Sequence, residues 1–213
     1  MKIGVPNRKE IATGFTLVEL LVVIAIIGLL AGLIIGLAGV VNKKKQLARV
    51  NVELKALETA IESYKEKLGS YPPDNTNNCA RNQLFYELAG TTLEGPPGAT
   101  YFQLTVIGNE RIPQNQVATY FTVGGFANSG TSLENVHNFL KSGLLKHAQI
   151  NATPPIQVLT VPVDGPNPLT DVSGKPVNTW RYVSTNPTNN PGSYDLWAEI
   201  KVGGKTNVIG NWR

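Results

Sequence analysis

The segment from Phe15 to Val41 is apolar apart from Thr16 and Glu19, and it constrains this chain more than any other stretch. A hydrocarbon layer of about 30 Å is crossed by roughly 20 apolar residues in a helix, so the segment is long enough to span a bilayer. Glu19 is the anomaly. A carboxylate there costs roughly 2.5 to 3.5 kcal/mol at the centre of the layer and less toward an end, so it ordinarily has a partner or a task. A carboxylate that merely reaches back to the interface is the alternative. The residues before Phe15 set Lys2, Arg8 and Lys9 against Glu10, hold no apolar block and end in Thr13-Gly14. A secretory signal carries its small-residue cleavage site after the apolar region, so this start is of another kind.

Gly28, Gly32 and Gly36 repeat every four residues, a spacing that puts them on one helix face and lets membrane helices approach closely. Glycine is also simply common in membrane helices, and both readings stand. After Lys43-Lys44-Lys45 come Leu47, Val50, Leu54, Leu57, Ile61, Tyr64 and Leu68, stepping by three and four in an unbroken apolar stripe. Glu53, Lys55, Glu58, Glu62, Lys65, Glu66 and Lys67 are assigned to the other faces. The pattern predicts one helix, apolar over residues 15–41 and amphipathic over 42–70, with its stripe either packed on its own domain or in a coiled coil. Gly69 suits a helix C-cap, and Pro72-Pro73 cannot continue a helix.

The run Gly14-Phe15-Thr16-Leu17-Val18-Glu19-Leu20 resembles the signature of type IV prepilins and type II secretion pseudopilins, and a Gly-x-Tyr-Pro like Gly69 to Pro72 follows the long helix in pseudopilins. The resemblance implies a leader, residues 1–14, cut by a prepilin peptidase between Gly14 and Phe15, with N-methylation of Phe15. It implies that Glu19 is an assembly residue facing the Phe15 amine of a neighbouring subunit. It further implies a filament of copies of this chain and other pilins, built by a membrane platform and a cytoplasmic ATPase. Physical reasoning fits these roles. Glycine before the cut has no Cβ to crowd a protease, and a buried carboxylate without its partner is strongly penalised, which would set subunit register.

Residues 71–213 suffice for one domain with its own core. Asn82 to Leu88 and Leu133 to His147 have helical spacing, the second with Val136, Phe139, Leu140, Leu144 and Leu145 as its apolar set. Tyr101 to Ile107, Ala118 to Val123, Ile156 to Val161, Trp180 to Ser184 and Tyr194 to Val202 read as strands. The expected class is α+β, a long N-terminal helix packed on an antiparallel sheet head. Tyr182, the run Pro191-Gly192-Ser193-Tyr194-Asp195-Leu196-Trp197 and the closing Ile209-Gly210-Asn211-Trp212 resemble the end of the major pseudopilin of type II secretion. That family's loop before the final Asn-Trp is rich in aspartate and binds calcium. Here Glu199 to Val208 offers one carboxylate and two lysines, whereas calcium takes six to eight oxygen ligands. Calcium is therefore disfavoured, no other cofactor is expected, and a tight glycine turn with Lys205 is expected to take the ion's structural place.

The pI of about 9.1 misleads, because after Leu68 nine basic residues face nine acidic ones. A neutral head without a basic stripe is not expected to bind nucleic acid as a monomer; the Lys43 triplet suits lipid headgroups. By the count of flanking charges the triplet would face the cytoplasm, whereas the resemblance places the leader inside and the head outside, single-pass in a bacterial inner membrane. Cys79 stands alone, so it has no disulfide partner within the chain. His137 and His147 lack zinc-motif spacing, no nucleophile-and-base constellation is evident, and no enzyme is expected. The functional expectation is a pseudopilus subunit for protein export, with a type IV pilus subunit or a plain membrane-anchored domain as alternatives.

Overall fold

The computed structural model describes residues 14–140, 143, 145–153 and 155–212, with side chains of 33–38 outside the description. The leader thus lies outside the described residues up to Thr13. The chain divides into two compact units that meet between Asn42 and Lys43, and α1 (Leu17–Leu68, 52 residues) runs through both. No proline interrupts it before Pro72. It ends at Gly69, whose φ of +83° and N–H bond to Lys65 O at 2.8 Å make the left-handed cap that glycine adopts without strain.

In the second unit the stripe of α1 packs on its own domain. Val50, Leu54, Leu57, Ile61 and Tyr64 are buried in one core with Trp180, Tyr182, Leu196 and Ile200. Each such side chain contributes roughly 1.5 to 3 kcal/mol. Leu68, at the end of the stripe, is exposed, and Glu53, assigned above to a solvated face, is 3% exposed. Arg49 stands 3.7 Å from it, and burial pushes its carboxyl above the usual range.

After α1 come α2 (Leu84–Ala89), β1 (Thr91–Glu94), β2 (Tyr101–Leu104), β3 (Arg111–Pro113), α3 (Gln114–Phe121), β4 (Ser129–Gly130), β5 (Lys146–Ile150), β6 (Ile156–Thr160), β7 (Leu169–Thr170), β8 (Pro176–Val177), β9 (Arg181–Val183), β10 (Asp195–Val202) and β11 (Lys205–Gly210). Among the described residues the strands form a sheet in the order β3-β2-β1-β4, a sheet β11-β10-β9 and the pairs β5-β6 and β7-β8. All pairings are antiparallel except β1 with β4. The architecture is α+β, as expected. In β10 the inward face alternates Leu196, Ala198, Ile200 and Val202, all buried, while Lys201 is exposed, the period-2 pattern of a half-buried strand.

Two expected elements are corrected. Ala118 to Val123, read as a strand, belongs largely to α3, because Val117 and Phe121 lie one turn apart and both are fully buried. Thr122 closes α3 at φ +59° with its N–H on Ala118 O at 3.2 Å. β-propensity yields there to burial of an i,i+4 pair. Leu133 to His147, read as a helix, is a short 3₁₀ turn (Leu133–Asn135) followed by extended chain and then β5. The Asn128 amide holds the extended part, donating from Nδ2 to His137 O at 2.6 Å and accepting from His137 N at 3.1 Å. Phe139 N donates to Leu88 O at 2.8 Å. His137 and His147 therefore sit on extended chain, and Leu144 lies outside the described residues.

Candidate functional site

The start of α1 is built by its own residues. Thr16 N and Thr16 Oγ1 donate to Glu19 Oε2 at 2.8 and 2.7 Å, and Glu19 N donates to Thr16 Oγ1 at 3.3 Å. This reciprocal pair is a capping box, which satisfies otherwise orphaned donors of the first turn. Sequence reading passed over it, although Thr-x-x-Glu before an apolar run is its signature. Among the described residues no cation pairs with Glu19. Phe15 is 80% exposed, and every apolar side chain from there to Leu30 is exposed too. A Cβ added at Gly14, Gly28 or Gly32 would meet no heavy atom within 4 Å, so these glycines leave an open surface on α1. Gly36 falls in the part of α1 whose surroundings are outside the description. Among the described residues no helix is long and apolar enough to cross a membrane.

The carboxyl-terminal landmarks converge in the head. The Tyr182 hydroxyl and Ser184 Oγ both donate to Pro72 O at 2.8 Å, tying β9 to the chain that leaves α1. Asp74 accepts from Ser184 N at 3.2 Å and from the Thr185 hydroxyl. Asp195 accepts from the N–H groups of Asn189 and Asn190 at 2.8 and 2.9 Å. Asn211 receives Leu196 N at 2.9 Å and donates to Tyr194 O at 2.9 Å, and Trp212 packs edge-on against Trp197 at 5.6 Å. Asn211 and Trp212 thereby fasten the end of the last strand to β10.

The region between them, where the pseudopilin resemblance would put calcium, is the β10–β11 hairpin. Its ladder is continuous from Trp197↔Gly210 to Val202↔Lys205, and Gly203 and Gly204 make the turn at φ +61° and +77°. Two consecutive positive φ values are what a tight hairpin turn requires. Glu199, the sole carboxylate there, faces Arg181 at 3.4 Å. The donor set does not fit calcium, and among the described residues no cluster of three or more His, Cys, Asp or Glu is placed to hold a metal.

The remaining singled-out residues have structural neighbours. His147 stacks on Phe85 at 4.5 Å and shares a 3.0 Å hydrogen bond with Gln157 Oε1, while His137 lies edge-on to Phe139. Cys79 is half-buried, and burial pushes its thiol up. Sequence reading gave no sign of Glu87, which is fully buried in α2. It accepts from the Tyr64 hydroxyl at 2.8 Å and from Ala127 N and Asn128 N at 3.0 Å each. Burial raises its pKa, and the two backbone donors partly offset that.

Comparison with known proteins accounts for the arrangement at the start of α1. Residues 12–35 match the prokaryotic N-terminal methylation motif. A fimbrial protein of Pseudomonas aeruginosa is 33% identical over 121 residues, which cover 55% of this chain and 73% of that protein. No solved structure matches the chain. The chain belongs to the type IV pilin superfamily.

Proposed function

We propose that this chain is a prepilin, cut by a prepilin peptidase between Gly14 and Phe15, N-methylated on Phe15, and assembled into a filament rooted in the bacterial inner membrane with the head outside the cytoplasm. The observation that carries this is the exposed apolar surface from Phe15 to Leu30. Such a surface needs lipid before assembly and neighbouring helices after it. Glu19 then serves assembly by meeting the Phe15 amine of the next subunit, with Gly28, Gly32 and Gly36 allowing close helix approach. The energy comes from a cytoplasmic ATPase acting through a membrane platform, and neither catalysis nor a cofactor is assigned to this subunit.

The filament is proposed to be a type II secretion pseudopilus, on the strength of Tyr182, Asp195, Asn211 and Trp212, which tie β9, the loop before β10 and the end of β11 into the head. The surface-pilus reading has one observation in its favour, the relative named as a fimbrial protein. Intact mass and amino-terminal sequencing of the membrane-extracted protein, with and without the peptidase, test processing: the expected chain begins at N-methyl-Phe15, and one beginning at Met1 in the presence of active peptidase refutes it. Glu19→Ala is expected to insert and be cleaved yet fail to enter filaments. Deletion should abolish export of folded proteins; intact export with loss of surface filaments would select the pilus instead.

A further inference from the structure

The side chain of Lys43 lies across the turn of the β10–β11 hairpin. A Cβ placed on Gly203 would stand 2.3 Å from Lys43 Cε and 2.5 Å from its Nζ, so the end of the lysine rests directly on the turn, whose φ of +61° itself favours glycine. Lys43 comes two residues after Val41, where the apolar run ends, and two residues of chain reach at most about 7 Å. Lys43 to Lys45 thus follow the apolar run directly in the chain, and the turn touches the first of them. It brings cations of its own. Lys201 and Lys205 flank it, both exposed, and Lys44 and Lys45 are exposed beside Lys43. Among the described residues none of these five lysines forms an ion pair. Nearby carboxylates are those of Glu199, which faces Arg181 at 3.4 Å, and of exposed Asp164, whose backbone carbonyl receives Lys201 N at 2.7 Å.

Five unpaired like charges gathered by a tertiary contact repel one another unless an anionic surface meets them, and a turn of two glycines carries no side chains to hold such a surface off. We propose that the Gly203-Gly204 turn, with Lys201 and Lys205, is a second membrane contact that docks on anionic phospholipid headgroups alongside Lys43 to Lys45. It rests on the membrane-anchored reading above. Each lysine near an anionic leaflet is worth roughly a factor of five in partitioning. Because the contact is electrostatic, salt weakens it over a screening length of about 8 Å at physiological ionic strength.

The test uses full-length protein with a fluorophore at Thr206→Cys in a Cys79→Ser background, reconstituted in nanodiscs of phosphatidylcholine alone or mixed with phosphatidylglycerol, with a quencher attached to lipid headgroups. Quenching is expected to be several-fold stronger in the anionic discs and to fall to the phosphatidylcholine level with added salt or in Lys201→Gln/Lys205→Gln. Equal quenching in both lipids, or quenching insensitive to salt, overturns the proposal. So does a label shielded only in assembled filaments, which would assign the turn to a second copy of the chain. Alkaline extraction of the same samples reads the anchor separately. Protein that leaves the discs refutes the anchored reading and this proposal with it, whereas anchored protein without lipid-dependent quenching overturns the turn contact alone.

Discussion

Replacing Glu87 with glutamine should make the stability of the head lose part of its pH dependence, with a sign that the burial of Glu87 dictates. The carboxylate receives three donors and faces no cation, and burial is the largest influence on it, raising its pKa above the usual 4.5. Between the unfolded value and the raised folded one, the native state binds more protons than the unfolded state. Stability contributed by Glu87 is then fully present below the unfolded pKa and is lost as pH rises through the window, with a slope of up to about 1.4 kcal/mol per pH unit. Glutamine does not titrate. Its amide nitrogen also displaces one acceptor, stranding at least one buried donor at about 1 to 3 kcal/mol. Urea unfolding of the full chain in mild detergent, followed by tryptophan fluorescence from acid to neutral pH, should show wild type ahead of Glu87→Gln at the acid end and a gap that narrows as pH rises. A gap that is flat, or that widens as pH rises, would mean that the three hydrogen bonds outweigh desolvation and would refute the reasoning.

Gly203→Ala should cost about 1 to 2 kcal/mol through its left-handed backbone, and because the end of exposed Lys43 can swing aside, Lys43→Ala should leave that cost unchanged in a double-mutant cycle of urea midpoints. Asn211→Ala strands Leu196 N, while Tyr194 O keeps its bond from Asn190 Nδ2, and should lower stability by about 1 to 3 kcal/mol, with the loss read as earlier exchange of the β10 amides. Added calcium should leave the melting temperature of the protein unchanged; a clear rise would show oxygen ligands outside the set considered at the hairpin.

The long helix was legible because its signals are local: an apolar run, a stripe stepping by three and four, and Gly69 before Pro72. The strands at β6, β9 and β10 were legible for the same reason, since β-branched and aromatic residues alternate between turn residues. Where reading failed, the deciding partner was distant. Val136, Phe139 and Leu140 have helical spacing, but Asn128 and Leu88 hold their backbone extended, and nothing in the local pattern names either residue. Val117 and Phe121 were obscured by a neighbouring Thr-Tyr-Phe-Thr-Val run that favours strands. Glu53 read as a solvated charge and Glu87 gave no signal at all, because burial of a carboxylate is set by what packs over it. At the candidate site, the glycine, the phenylalanine and the carboxylate were all legible, whereas the bond between Thr16 and Glu19 is hidden by a carboxylate whose setting in an apolar run points to a distant partner before a local one.

That bond bears on how readily subunits come and go. In the single chain Glu19 already receives two donors from Thr16, an interaction worth about 0.5 to 2 kcal/mol where such caps have been removed. On the proposed assembly role, a neighbour's amine arriving at Glu19 would have to share or displace those donors, so docking would yield only the difference between the intermolecular pair and the local one. The carboxylate acts as its own competitor. Thr16→Ala would remove the hydroxyl donor and leave the backbone one, so on the proposed assembly role it should relieve part of that competition and slow subunit release.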